Sequence, residues 1–265
     1  MKNGEFLNSS EGEKIVKISE SKKFIFSNVH ELGKITKSDD SMKKHIESVL
    51  NLSLVNVEKI KSKKIKVVVD AVNSTGGLIV PDFLKELNIE VIKLYCEPNG
   101  DFPHNPEPLK KNLTELSKKV IECNADLGIA VDPDVDRLVF VCEDGELFGE
   151  ENTLVACADY VLSKTPGSTV SNLSSSRALN DITKKHNQVH YYSAVGEVNV
   201  VDKMKKCKAV IGGEGNGGVI YPESHYGRDS IVGIGLFLSL YVQRGLIASK
   251  LLETFPKYFL SLIHI

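Results

Sequence analysis

The chain has 265 residues, of which 42% are hydrophobic and 26% are charged, a composition typical of soluble globular domains. It excludes collagen-like, wholly disordered and disulfide-rich proteins. The formal net charge of −2 is too balanced for a dedicated nucleic-acid binder, so no nucleic-acid partner is expected. The apolar run from Ile231 to Val242 is too short to span a membrane, and no N-terminal leader is recognisable, so nothing suggests secretion. The five cysteines are scattered and form no CxxC pair, which argues against a zinc site or disulfide framework and favours the reducing cytoplasm.

Helix and loop without a complete sheet are predicted for the first sixty residues. Ser10 to Ser19 has helical spacing, and Ser10 and Glu13 predict a capping box. A second helix is predicted from Ser41 to Leu52. From Lys64 onward the pattern changes to alternating strands and helices.

Short β-branched runs separated by helical stretches predict two successive α/β units. The first has predicted strands Ile65–Val69, Ile89–Leu94, Leu127–Val131 and Leu138–Cys142, a helix Leu78–Leu87 and a helix ending near Cys123. The second has predicted strands Thr169–Leu173, Val189–Tyr192 and Ala209–Ile211, and helices Glu151–Leu162, Ser176–His186, Val198–Lys206 and Ile231–Gln243. The predicted fold class is therefore α/β: tandem three-layer α/β domains with mixed sheets flanked by helices, in a duplicated arrangement.

An acidic motif, DPDVDR at residues 132–137, lies between two predicted strands. In an extended segment residues two apart point the same way, so the carboxylates of Asp132, Asp134 and Asp136 are expected to converge. Such convergence is unfavourable without a cation, and all-oxygen ligands suit Mg²⁺. Arg137 supplies a neighbouring guanidinium suited to a phosphate. The alternative is an exposed acidic turn.

A calcium-binding loop is the nearest chemical competitor. Asp132, Asp134, Asp136 and Glu143 occupy positions one, three, five and twelve of that template. However, Arg137 stands where glycine is required, and predicted strands rather than helices flank the loop. The sequence therefore argues against calcium. A phosphatase that uses one of the aspartates as a nucleophile is a weaker alternative, because no downstream phosphatase pattern follows.

A glycine-rich motif, GGEGNGG at residues 212–218, follows the last predicted strand. It matches GxGxxG formally, but an extended, proline-terminated segment follows where a dinucleotide-binding helix would begin. The glycines instead favour a tight loop that presents Glu214 and Asn216 to a ligand, and a carboxylate and an amide suit sugar hydroxyls. A plain glycine turn is the alternative.

The segment HYGRDS at residues 225–230 leads into the predicted apolar helix. His225 and Arg228 are close enough in sequence to the glycine-rich motif to serve the same anionic substrate. Asp229 or Ser230 can also act as the N-cap of that helix, which is the purely structural interpretation.

Together these motifs resemble those of the α-D-phosphohexomutases, which include phosphoglucosamine mutase, phosphomannomutase and phosphoglucomutase. DPDVDRL resembles the family's metal loop, GGEGNGG followed by HYGRDS resembles its sugar-recognition loop, and DAVNSTGG and PNGDFPHNPEP resemble second-domain segments. In such enzymes a phosphoserine donates its phosphoryl group to a hexose phosphate. The resulting bisphosphate then reorients and returns its other phosphoryl group to the serine. The resemblance implies Mg²⁺ held by Asp132, Asp134 and Asp136, a phosphate contact at Arg137 and a sugar-hydroxyl contact at Glu214.

Two positions depart from the usual family pattern. Many relatives have GEMSGH or GEQSGH in the sugar-recognition loop, whereas in this chain Asn216 and Gly218 replace the serine and the histidine. The pattern resembles a subgroup in which phosphoglucosamine mutase is a common assignment, so a hexosamine phosphate is favoured over a mannose or glucose phosphate. The sequence leaves the oligomeric state open.

Domain boundaries also follow from the resemblance. Residues 1–58 are expected to be the end of the family's first domain, 59–147 its second and 148–259 its third. A TASHNP-like phosphoserine loop and a fourth domain are not recognisable, so no catalytic residue is assigned and a fragment without turnover is expected. Residues 260–265 match a translated sequencing adapter and are predicted to be a foreign tail. A natural short form that binds Mg²⁺ and sugar phosphate without turnover is the alternative.

Overall fold

The computed structural model describes residues 6–38 and 40–258, so the predicted tail at 260–265 lies outside the described residues. The helices are α1 Ser9–Ser21, α2 Ser41–Leu50, α3 Val57–Lys61, α4 Gly76–Glu86, α5 Thr114–Glu122, α6 Glu150–Lys164, α7 Ala178–Lys185, α8 Glu197–Cys207, α9 Ser230–Arg244 and α10 Ala248–Leu252. The strands are β1 Lys66–Asp70, β2 Glu90–Leu94, β3 Leu127–Val131, β4 Leu138–Cys142, β5 Thr169–Asn172, β6 His190–Ser193, β7 Ile211–Glu214 and β8 Gly218–Ile220. Across these ranges, no helix combines the length and apolar character that crossing a bilayer requires.

The strands form two four-stranded sheets with the same topology. Their orders are β2-β1-β3-β4 and β6-β5-β7-β8. In each sheet the first three strands are parallel and the last pairs antiparallel with its neighbour. This identity of order confirms the predicted mixed sheets and the predicted duplication.

Helices cover both faces of the first sheet because successive residues of a strand point to opposite sides. Val67 and Val69 of β1 face the core that contains α4, whereas Val68 between them faces Leu116 and Val120 of α5. All of these side chains are fully buried. The predicted three-layer arrangement is therefore confirmed.

Helix α9 ties the two sheets together. It follows the second sheet in sequence, yet it packs against α2, α3 and β4 as well as against α6. Its Phe237 ring stacks on Phe140 of β4, with 3.7 Å between the ring centroids. Because almost every face of α9 is covered, its sequence is apolar all round instead of amphipathic. The resulting core is continuous across both α/β units.

The N-terminal helices differ from the prediction in detail. The capping box of α1 is formed by Asn8 and Glu11, not by Ser10 and Glu13, because the helix already begins at Ser9. No residue of α1 is buried. Helices α2 and α3, in contrast, bury Ile46, Val49 and Ile60 in the main core, so the sheet-free segment contributes to packing.

Candidate functional site

Two loops at strand ends meet between the sheets. The acidic loop, residues 132–137, joins β3 to β4, and the glycine loop, residues 215–217, joins β7 to β8. Leu138, which follows the acidic loop and begins β4, donates from its N–H to Gly217 O at 3.2 Å, so the acidic loop ends against the glycine loop. Ligands of open α/β sheets bind beyond the carboxyl ends of the parallel strands, and β3 and β7 both end here.

The acidic loop brings the three aspartates together by a turn. Asp132 Oδ1 accepts hydrogen bonds from the backbone N–H groups of Asp136 and Arg137, both at 3.0 Å, and Val135 has a φ of 62°. The carboxylates of Asp132, Asp134 and Asp136 each offer an oxygen, and these oxygens lie within 4.8 Å of one another. The predicted convergence is thus present, but the predicted extended conformation is wrong, since the chain must fold back to make these bonds.

Burial and mutual repulsion raise the pKa values of two aspartates in this cluster. Burial raises the pKa of Asp132 to about 7, with the neighbouring Asp136 and Asp134 charges adding to the effect. Burial also raises the pKa of Asp136. Asp136 Oδ1 is buried and has no hydrogen-bond partner among the described residues. A hard divalent cation fits such a set of oxygens, and exposed Asp134 leaves one side open for water or a phosphate oxygen.

Arg137 lies beside the carboxylates. Its Nε is 3.6 Å from Asp132 Oδ2 and 3.9 Å from Asp136 Oδ1, and its Nη1 is 2.6 Å from Glu107 Oε2. Glu107 was not identified as a site residue from the sequence. It belongs to the PNGDFPHNPEP segment, which was the available signal. The phosphate contact assigned to Arg137 stays a prediction.

The loop that carries Glu107 is anchored by a contact between partly buried His104 and buried Asp70. His104 Nε2 lies 3.0 Å from Asp70 Oδ2, and His104 Nδ1 lies 2.8 Å from Asn105 O. Both partners only accept hydrogen bonds, so both contacts are satisfied when the imidazole carries two protons. The hydrogen bond to Asp70 is the main reason that the pKa of His104 is raised.

We expect the substitution His104→Gln to destabilise the protein more at pH 6 than at pH 9. A histidine whose pKa is raised by folding stabilises the protein fully below its pKa in the unfolded chain, about 6.5. This stabilisation is lost as the pH rises through its pKa in the folded protein. Urea unfolding of wild type and variant at both pH values measures this difference. The exposed His30→Gln serves as the control, and an equal effect of His104→Gln at both pH values would contradict the prediction.

The glycine-rich motif is mostly strand. Gly212 and Gly213 lie in β7 and Gly218 begins β8, so the strand predicted at Ala209–Ile211 was placed too early. Ala209 instead closes the end of α8, since its N–H donates to Met204 O at 2.9 Å. A Cβ on Gly213 would lie 2.0 Å from Gly218 O, so glycine is what allows these strands to pair closely.

Glu214 is buried and held from three sides. Its Oε1 accepts from Asn172 Nδ2 at 2.7 Å and from Gly196 N at 3.3 Å, and its Oε2 accepts from Arg228 Nη1 at 2.8 Å. Asn216 Oδ1 accepts from Gly218 N at 3.3 Å within the turn. Asn172 was missed from the sequence, although a polar residue at the end of a predicted parallel strand is the signal that could have found it.

A cavity of about 300 Å³ opens beside Glu214 and Asn216. Its remaining lining residues are Glu107, Pro108, Leu109, Glu150, Asn172, Ser174, Val195 and Gly215. Both domains contribute to it, because Glu107 and its neighbours come from the loop paired with Arg137. The cavity offers carboxylate, amide and hydroxyl groups, which suit a ligand rich in hydroxyl groups.

His225 faces the start of α9. Its Nε2 lies 2.8 Å from Asp229 Oδ2, and His45 Nε2 lies 2.9 Å from the same oxygen. Asp229 Oδ1 accepts from the N–H groups of Ile231 and Val232, which confirms that Asp229 caps the helix. The hydrogen bond to Asp229 raises the pKa of His45. A substrate role for His225 stays a prediction.

Fold and site define a class of protein with tandem α/β domains, in which an acidic loop of one domain meets a glycine-rich loop of the next. Family profiles for phosphoglucomutase/phosphomannomutase α/β/α domain II and domain III match residues 43–145 and 150–258. The chain belongs to this phosphohexomutase family and contains its second and third domains. The predicted family is thereby confirmed.

Several similar proteins carry the names of hexose-phosphate mutases. A phosphoglucomutase/phosphomannomutase of Thermococcus kodakarensis is 35% identical over 87% of this chain and 50% of its own length. A probable phosphoglucosamine mutase of Methanopyrus kandleri is 32% identical over 88% of this chain and 51% of its own. The chain thus spans about half the length of these relatives. A solved structure of a phosphoglucomutase/phosphomannomutase family protein from Burkholderia thailandensis, 24% identical, covers 95% of this chain and 53% of its own with a TM-score of 0.83, which shows the shared fold.

Proposed function

We propose that this chain is the metal-binding and sugar-binding part of a Mg²⁺-dependent phosphohexomutase that interconverts hexose 6-phosphate and hexose 1-phosphate. The observation that carries the proposal is that the acidic loop ends against the glycine loop, and that residues of the glycine loop line the cavity. The names of the similar proteins support the reaction class. Among substrates we favour a hexosamine phosphate, with mannose and glucose phosphates as alternatives.

In this proposal Asp132, Asp134 and Asp136 hold Mg²⁺. The cation would supply positive charge next to the oxygens of the phosphoryl group in transfer. Arg137 adds a second positive charge beside the cluster and contacts a substrate phosphate. Its position between Glu107 and the triad supports this role, since a guanidinium there is close to both the cation site and the cavity.

The sugar ring is proposed to bind in the cavity. Glu214 and Asn216 accept hydrogen bonds from its hydroxyl groups. His225 and Arg228, which follow the glycine loop in sequence, bind the same substrate. The contacts of Glu214 with Asn172, Gly196 and Arg228 support the assignment, because a carboxylate held this firmly needs no reorganisation when a ligand binds.

The phosphoserine of the family's reaction is proposed to lie outside this chain. We therefore expect the purified chain to bind Mg²⁺ and hexose phosphate without converting glucosamine 6-phosphate to glucosamine 1-phosphate. A coupled assay that detects conversion by the pure chain would contradict this expectation. A natural short form that acts only as a binding module would behave in the same way, and calorimetry with hexose phosphate against the Asp132→Ala control tests its binding.

We expect Mg²⁺ to stabilise the wild-type chain and to lose most of that effect in Asp134→Asn. At free Mg²⁺ a hundredfold above its dissociation constant, binding to the native state alone adds about 2.7 kcal/mol. Asp134 is exposed and makes no hydrogen bond among the described contacts, so its amide analogue should fold normally. Thermal unfolding with and without Mg²⁺ measures the effect.

Asp144→Asn is the matched control, because Asp144 is likewise an exposed aspartate in a turn of the same domain. It should respond to Mg²⁺ as the wild type does. Equal stabilisation of Asp134→Asn and Asp144→Asn would contradict the metal site.

A further inference from the structure

Arg228 joins the two domains where their loops meet. Its side chain is 13% exposed, and its Nη2, Nη1 and Nε lie 2.5 Å from Asp136 Oδ2, 2.8 Å from Glu214 Oε2 and 3.3 Å from Glu197 Oε2. Asp136 belongs to the acidic loop of the first sheet, whereas both glutamates belong to the second α/β unit. We propose that Arg228 is a positioning residue that holds Asp136 in the orientation a bound Mg²⁺ requires, an inference that rests on the metal site proposed above.

The two oxygens of Asp136 have different surroundings. Oδ2 accepts from Arg228, while Oδ1 is buried and has no hydrogen-bond partner among the described residues. The Nε of Arg137 is 3.9 Å from Oδ1, too far for a hydrogen bond. Carboxylates that bind metals are usually oriented by hydrogen bonds to their other atoms. The geometry therefore commits Oδ2 to Arg228 and leaves Oδ1 for the cation.

Gly218 provides the space that Arg228 occupies. A Cβ at this position would lie 2.3 Å from Cδ and 3.0 Å from Cγ of Arg228, so the arginine side chain passes directly over the glycine. The backbone of Arg228 is fixed as well, because its N–H donates to Glu197 Oε1 at 2.7 Å. The absence of a side chain at residue 218 and the path of Arg228 are therefore one structural feature.

Charge and orientation make opposite predictions for the loss of Arg228. A guanidinium next to a ligand carboxylate repels a divalent cation, so removing the charge alone would tighten Mg²⁺ binding. Losing the hydrogen bond that orients Asp136 would weaken it, and loss of such an outer partner typically costs 10- to 100-fold in metal affinity. The sign of the change therefore separates the two effects.

The test is a calorimetric titration of the 265-residue chain with Mg²⁺. We expect Arg228→Gln to weaken Mg²⁺ binding by about tenfold. Gly218→Ala should weaken it in the same direction, because the new methyl group displaces the Arg228 side chain without removing its charge. Arg244→Gln is the matched control, since Arg244 also lies in the second unit and pairs with buried Asp159 at 2.6 Å, but does not contact the acidic loop.

Unchanged or tighter Mg²⁺ binding by Arg228→Gln, with wild-type binding intact, would overturn the inference. Absence of Mg²⁺ binding by the wild type would overturn the metal site itself and the inference with it. Circular dichroism checks that each variant is folded. If Arg228→Gln does not fold, Gly218→Ala decides the outcome alone, because the three atoms nearest to its new methyl group belong to the side chains of Arg228 and Asn216, which can move.

Discussion

Replacing Phe237 by alanine is expected to lower the free energy of unfolding by about 3–5 kcal/mol. The Phe237 ring is fully buried, stacks on Phe140 and meets Phe148 edge-on at a centroid distance of 5.1 Å. Phe140 lies in β4 of the first sheet, and Phe148 N donates to Phe140 O at 2.9 Å, so the cavity would open where α9 packs on that sheet. Urea denaturation followed by circular dichroism measures the loss.

Phe102→Ala is the control, because the Phe102 side chain is 44% exposed and its loss should change stability by less than about 0.5 kcal/mol. The continuous core also predicts a single unfolding transition for the wild type. Two separate transitions, or a loss below about 1 kcal/mol in Phe237→Ala, would show that the domains do not share this core.

Local sequence patterns predicted most of the fold. Strands Leu127–Val131 and Leu138–Cys142 have the predicted bounds, because each is a short buried run with polar residues at its ends. The strand predicted at Ala209–Ile211 was displaced, because glycine usually marks a loop and here it permits close strand pairing. Periodicity likewise indicated that α9 is apolar, but not that it covers both sheets.

The site shows the same difference between what local sequence patterns predict and what only long-range contacts determine. Convergence of Asp132, Asp134 and Asp136 was predictable, since their spacing is local and like charges that meet imply a cation. The contact of Arg228 with Asp136 was not, because the two residues are 92 positions apart and belong to different sheets. Glu197 was not named as a site residue for the same reason, because its contacts with Arg228 join two separate segments of the chain.

Replacing Gly213 by alanine is expected to lower the free energy of unfolding by roughly 3 kcal/mol and to weaken sugar-phosphate binding. The added Cβ would lie 2.0 Å from the carbonyl oxygen of Gly218, a backbone atom on the paired strand that cannot rotate away. Relief requires β7 and β8 to separate. That movement would shift Glu214, the next residue, from its partners Asn172 and Arg228.

The control separates a steric effect from the intrinsic preference of glycine. A methyl group added at Gly33 would meet no heavy atom within 4 Å, and Gly33 has no positive φ, so Gly33→Ala should leave the unfolding free energy within about 0.5 kcal/mol of wild type. If Gly213→Ala matched that control, the close approach of β7 and β8 would not be required for folding. The glycines of the motif would then serve the turn alone, as in the plain glycine-turn interpretation of the sequence.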